Sequence, residues 1–209
     1  MSLLFSPPSS DDLIRLLRAW RFWILAALIG GLVGAAVYRL APPPYRARAV
    51  VNVDFNLEEA WPQEIDRQQF YYLERETRKL EEIAWSDAVL QAVAAADGKA
   101  TVRELREGKL RLSQPAEAGW SFYADDRNAQ RAETLASAWA RSFADAAQAN
   151  INSQSGLNSF IRIEVTQSAD LSARRSAPLS SYLLAGTLTA WFLGAFAVLF
   201  FAPRDRRNS

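Results

Sequence analysis

Two long apolar runs stand near the ends of the chain, and a polar, patterned stretch lies between them. Neither the first, Phe22 to Tyr38 (FWILAALIGGLVGAAVY), nor the second, Tyr182 to Phe201 (YLLAGTLTAWFLGAFAVLFF), carries a charged residue. Each is long enough, as a helix, to cross most or all of a hydrocarbon layer of roughly 30 Å, so both are expected to be transmembrane helices. Ahead of the first run, Leu13, Ile14, Leu16, Leu17 and Trp20 recur at helical spacing, with Asp11 and Asp12 placed to cap and Arg15, Arg18 and Arg21 on the other side. That pattern predicts an amphipathic lead-in at headgroup level, anchored by Trp20 and Trp23. The acidic start and the lack of an Ala-x-Ala site before Tyr38 point to a retained anchor rather than a cleaved signal.

Between the runs the period changes several times. After Pro42, Pro43 and Pro44, the residues Tyr45, Ala47, Ala49, Val51, Val53 and Phe55 alternate with polar neighbours, which predicts a half-buried strand. Pro62 opens a helical stretch to about Ala84, with Ile65, Gln69, Tyr72, Leu73, Glu76, Leu80 and Ile83 on one face. Ser86 is placed to cap a second helix that ends at Asp97-Gly98. Thr101, with Glu104 at capping-box spacing, begins a short third helix closed by Gly108. Lys109 to Ser113 and Trp120 to Ala124 alternate as a hairpin, with Pro115 and Gly119 between them. Asp125 and Asp126 then cap a helix to about Asn150, whose inward stripe is Ala132, Leu135, Ala136, Trp139, Phe143 and Ala146. A loop from Ser153 to Ser159, a strand through Ile161, Ile163 and Val165, and a polar stretch from Gln167 to Ser176 complete the middle region.

The order β-α-β-β-α-β predicts an α+β fold, a ferredoxin-like domain between two membrane helices. The expected division is a lead-in over residues 1–21, a first span over 22–38, a domain over 39–181, a second span over 182–201 and a tail over 202–209. Arg15, Arg18 and Arg21 before the first span, and Arg204, Arg206 and Arg207 after the second, orient both termini to the cytoplasm and the domain to the other side. Arg39, Arg46, Arg48, Arg174 and Arg175 weaken that charge bias, although a long domain translocates largely regardless of its charge. Within the spans, Gly30 and Gly34, and then Gly186, Ala190 and Gly194, recur every four residues. Small residues on one face let another helix backbone come close, which makes them candidate helix-packing positions; glycine is also simply common in membrane helices.

Composition removes several classes of chemistry. Lysine and arginine number 24 against 23 acidic residues, so no clustered basic composition argues for nucleic acid. Half the residues are hydrophobic while the mean hydropathy is only −0.11, as expected if the apolar residues are concentrated in blocks. There is no cysteine and no histidine, hence no disulfide framework, thiolate nucleophile, imidazole base or zinc site of the usual kind. Gly98-Lys99-Ala100-Thr101 lacks the earlier glycine of a phosphate loop and reads as a turn between helices. Asp125 and Asp126 could serve as a carboxylate pair in a membrane-bound glycosyl enzyme, but helix capping accounts for them. Glu58-Glu59 and Glu81-Glu82 read as solvated turns or helix faces. Trp61, Phe70, Tyr71, Tyr72 and Trp85 are candidates for stacking on sugar rings, or for core and interface packing. The expectation is a non-enzymatic protein with no cofactor or metal.

The stretch DDLIRLLRAWRFWILAALIGGLVGAAVYRLAPPPYRARAVVNV resembles the start of the chain-length determinant (Wzz-type) family, the polysaccharide co-polymerases. Asp12, Leu13, Leu16, Leu17, Trp20, Pro43, Pro44, Tyr45, Ala47, Ala49, Val51 and Val53 carry the likeness, and WSDAVLQAVAAADG and DDRNAQRAETLASAWARSF are similar to two helices of that family. The resemblance implies a homo-oligomer in the lipid bilayer of the bacterial inner membrane, its domain in the periplasm. There it would influence the length or export of O-antigen, capsule or exopolysaccharide beside a separate polymerase or export protein, with a separate kinase as a further partner. Only Asn150 to Phe160 joins the last helix to the last strand, so the family's long helical hairpin is missing. Pro178 alone represents its proline-rich approach to the second span, and the eight residues after Phe201 leave no room for a fused kinase. The second reading is a structural subunit of another membrane assembly that keeps the fold without polymer control.

Overall fold

The computed structural model describes residues 14, 17–56, 66–116, 119–153, 157, 160–167 and 173–201. The expectations for Asp11, Asp12, Arg15, Leu16, Glu58, Glu59, Trp61, Pro62, Ile65, Arg204, Arg206 and Arg207 lie outside those residues. In chain order the elements are α1 (Trp20–Leu40), β1 (Tyr45–Asp54), α2 (Asp66–Ala84), α3 (Asp87–Asp97), α4 (Val102–Glu104), β2 (Leu110–Ala116), β3 (Gly119–Asp126), α5 (Ala129–Asn152), β4 (Arg162–Gln167), β5 (Arg174–Arg175) and α6 (Leu179–Phe201). The chain divides into two units, one of Met1–Pro43 with Ala177–Ser209 and one of Pro44–Ser176.

The Pro44–Ser176 unit is α+β. Its sheet runs β2-β3-β1-β4 with every neighbour antiparallel, and β5 pairs with the first two residues of β1. The period-two pattern of β1 dictates its faces: Ala47, Ala49 and Val51 are buried, while Arg46 and Arg48 point the other way. Across the ladder Ala49 stands opposite Phe122 and Val51 opposite Trp120. The small β1 residues thereby leave room for large rings on β3.

α5 covers that face with Ala132, Leu135, Ala136, Trp139, Ala140, Phe143, Ala147 and Ile151, a stripe at three- and four-residue spacing. Phe122 meets the edge of Trp139 at 4.9 Å between centroids, Trp120 stacks on Phe143 at 5.8 Å, and Trp85 lies against Trp139 at 4.8 Å. The Trp139 indole N–H donates to the Ala84 carbonyl at 2.8 Å, satisfying one of the orphan carbonyls at the end of α2.

Local signals set most boundaries. Ser86 accepts from the Val89 N–H at the start of α3, Gly98 closes that helix in the left-handed conformation, and Thr101 with Glu104 forms both halves of a capping box. Gly119 has φ +89°, and a Cβ there would lie 2.6 Å from the Val51 carbonyl oxygen, so the entry to β3 admits no side chain.

Several boundaries differ from the sequence reading. α1 and α6 both begin before the uncharged runs, α1 also extends two residues beyond its run, and the α+β unit is correspondingly shorter than residues 39–181. Gly108 does not close a helix; it sits within a π-helical turn, Leu105–Lys109. The hairpin strands are longer than expected, and β2 carries Pro115 through a register shift, which an edge strand tolerates. The polar stretch after β4 contributes β5. Asp125 and Asp126 do not cap α5. They end β3, and Asn128 is the cap, accepting from the Arg131 N–H at 3.2 Å. Replacing Phe143 by Ala should cost about 3–5 kcal/mol, because its ring fills the space between Phe122 and Trp120; chemical denaturation of the purified chain measures this.

Candidate functional site

α1 and α6 are 21 and 23 residues long, about 31 and 34 Å as helices, and both are long and apolar enough to cross a membrane. They pack antiparallel along their length. The only buried residues of α1 are Gly30 and Gly34. A Cβ on Gly30 would collide with the Gly186 carbonyl and the Ala190 side chain, and one on Gly34 with the Tyr182 carbonyl. Gly186 in turn lies on the Gly30 backbone, and a Cβ on Gly194 would meet Ala26 at 3.0 Å. The five small residues singled out by spacing thus come together in one seam, within a single chain. Beside the seam runs an apolar groove of about 520 Å³ lined by residues such as Val33, Val37, Ala185 and Leu193.

The outward faces of both helices are apolar and exposed, including Leu25, Leu28, Leu32, Leu184, Phe192 and Phe196. Aromatic contacts mark the two ends. Trp23 meets Trp191 edge-on at 5.9 Å, and Tyr38 meets Tyr182 at 5.3 Å. Arg18 precedes α1 and Arg21 lies in its first turn, 5.7 Å above the Trp20 ring. The other four arginines expected to orient the chain, Arg15, Arg204, Arg206 and Arg207, are outside the described residues.

The exit residues follow directly. Pro43 ends the helical unit, and the Pro44 carbonyl accepts from the Ser176 N–H at 2.8 Å, so the two chain connections leave the α+β unit side by side. Arg175 lies 4.2 Å above the Tyr45 ring, a close cation–π contact. Ala47, Ala49 and Val51 are core, and half-buried Val53 packs against it.

Sequence reasoning missed an ion-pair cluster at the end of β3. Period-two alternation sends Asp125 to the open sheet face and Asp126 to the helical side. Arg46 donates to Asp125 through Nε and Nη2, both at 2.7 Å, and Arg111 approaches to 3.8 Å. Asp126 accepts from the Asn128 N–H at 3.0 Å and from Lys109 at 3.1 Å, with Arg131 at 3.5 Å. Arg131 also donates twice to Asp97, at 2.6 Å for each bond, and the Ala100 N–H adds a third bond to that carboxylate at 2.7 Å. Gly98 to Thr101 is accordingly a turn built around Asp97, not a phosphate loop.

The electrostatic consequences have named causes. The Arg131 hydrogen bonds, opposed by burial and helped by the Ala100 N–H, hold Asp97 down at about 2. Burial opposes ionisation of Asp126, yet the Asn128 N–H and Lys109 keep it below the usual carboxylate range. The Asp125 hydrogen bonds raise Arg46, and the Asp97 hydrogen bonds raise Arg131.

Of the candidate aromatics, Phe70 and Tyr71 are exposed, Tyr72 is buried, and Trp85 packs on Trp139. Glu76, which the sequence placed on the inward stripe of α2, is fully buried and paired with Arg75 at 2.9 Å and Lys79 at 3.0 Å. Among the described residues no three acidic side chains converge as a metal ion would require. Compared with protein-family models the chain matches none, and no curated protein matches it.

The seam gives a direct test. The chain has no cysteine, so Trp23→Cys with Gly194→Cys introduces the only thiols; with their Cβ atoms 3.8 Å apart these should cross-link readily, and adding Gly30→Leu should abolish the cross-link on a non-reducing gel. Asp97 gives a pH test. Its folded-state pKa is lowered from 3.8 to about 2, so its contribution is present above about pH 5 and lost as pH falls toward 2. That contribution is on the order of 1–2 kcal/mol, and Asp97→Asn should flatten the pH 5-to-2 slope in unfolding experiments while lowering stability at pH 7.

Proposed function

We propose that the protein is a non-enzymatic, oligomeric scaffold of the chain-length determinant type, spanning the bacterial inner membrane twice. Both termini are cytoplasmic in this reading, and the Pro44–Ser176 unit is extracytoplasmic. Its task is to hold a polysaccharide polymerase or export protein in a defined geometry, and so to regulate the chain length or export of O-antigen, capsule or exopolysaccharide.

The observation that carries the reading is the antiparallel α1–α6 pair, apolar on its outward faces, with one α+β unit inserted between its helices. Water penalises such a surface, whereas a bilayer does not. Trp20 and Tyr38 are separated by about 27 Å along α1, close to the spacing of the two interfacial belts of a bilayer. An antiparallel pair brings the start of α1 and the end of α6 to one side, where both arginine clusters of the sequence would then lie. Reading α2 to α4 as one helical region, the order β1, helices, β2, β3, α5, β4 with antiparallel neighbours supports the ferredoxin-like assignment. The family resemblance of the exit and first strand supports the polysaccharide role. The helix-packing residues would close the membrane hairpin of each subunit, leaving the apolar groove and the outer faces for lipid and for neighbouring copies.

Deleting the gene should change the length distribution or the surface amount of a polysaccharide resolved on a gel. A distribution and amount unchanged from the parent strain would overturn the reading.

A further inference from the structure

We propose that the cleft where β2, β3 and α5 meet binds a phosphate-bearing anion, with Arg111 and Arg127 as the ligand-contacting groups. The site is independent of the polysaccharide reading. The cleft has a volume of about 430 Å³ and is lined by Pro44, Gly108, Lys109, Arg111, Asp125, Asp126, Arg127 and Arg131. Four cations there face two carboxylates, a surplus of two positive charges. The volume suits a small ligand rather than a macromolecular surface.

Both carboxylates are already spent. Asp125 is held by the bidentate fork of Arg46, and Asp126 by Lys109, Arg131 and the Asn128 N–H. Behind them Arg131 is locked onto Asp97, so Lys109 and Arg131 form the framework. Glu104 reaches Arg131 electrostatically, but its carboxylate is engaged by the Thr101 N–H.

The two remaining cations differ in kind from this framework. Arg111 is 66% exposed, and its nearest carboxylate oxygen, at 3.8 Å, is beyond hydrogen-bond distance. Arg127 is exposed and makes no ion pair among the described residues. One projects from a sheet strand and the other from the turn leading into a 24-residue helix, whose N-terminal dipole adds to the positive field. Two guanidinium forks on the wall of one cleft, with the neighbouring acids neutralised inward, match the several acceptor oxygens of a phosphate or diphosphate. A free phosphorylated compound and a lipid headgroup share that chemistry.

The test uses the full chain, purified in neutral detergent, with inorganic pyrophosphate as the probe at low salt. Saturable binding by calorimetry is expected, weakened at least about tenfold in Arg111→Gln with Arg127→Gln and unchanged in Arg103→Gln, whose arginine instead pairs with Glu107 on the neighbouring helical turn. Near-ultraviolet circular dichroism verifies that the variants fold; should the double variant not fold, the single variants carry the comparison. In nanodiscs, loss of pyrophosphate binding when phosphatidylglycerol replaces phosphatidylcholine assigns the site to a lipid headgroup, and retention in both assigns it to a soluble phosphate compound. No saturable binding by the wild type in detergent or in either nanodisc, equal binding by the Arg111/Arg127 variants, or equal loss in Arg103→Gln overturns the proposal.

Discussion

The backbone of α1 rests on the backbone of α6 at Gly30 and Gly186, and no side chain fits between them. This constraint organises the helical unit. In lipid, association of two such apolar helices would depend on dispersion across a narrow gap, which grows weaker with every atom placed in it. Ala190, Tyr182 and Ala26 extend the same seam toward both ends, and the aromatic pairs Trp23–Trp191 and Tyr38–Tyr182 finish it.

The α+β unit relies on a different kind of fit. Ala49 and Val51 on β1 make space, the rings of Phe122 and Trp120 opposite them occupy it, and Trp139 and Phe143 of α5 close over them. Trp139 has a second task, since its indole N–H meets a helix-end carbonyl that packing has hidden from water. A connected group of ion pairs gathers at the opposite extreme of polarity, where β3 ends. There Asp97, Asp125 and Asp126 each receive donors from residues far away in the chain.

What was legible in the sequence was local or periodic. Alternation located β1, and Ser86, Thr101 and Glu104 located helix starts, because each signal acts within a few residues. The four-residue spacing of small residues marked the seam, although which glycine meets which depended on the antiparallel pairing. Asp125 and Asp126 were misread because their position before a helix suggested a cap. Their partners Arg46 and Lys109 stand 79 and 17 residues away and are brought to them by strand register and by β2 pairing. Glu76 kept helical phase with apolar residues, so its place in the stripe was visible, but its burial depends on Arg75 and Lys79 folding over it. β5 is two residues long, below what any periodicity reveals. The Arg111–Arg127 cleft needed both the β2–β3 register and the turn into α5, and neither can be read from composition.

The bond from Ser176 to Pro44, followed by the pairing of Arg175 with Tyr45 and Arg174 with Arg46, gives the α+β unit a particular mechanical character. Both ends of this unit leave from the same end of one antiparallel ladder. A pull shared equally by the two ends loads none of those bonds. A pull that separates them sideways opens the ladder one pair at a time, starting from Ser176, in the geometry of a zipper rather than a lap joint. The fold of this unit therefore resists being drawn as a whole and yields to spreading.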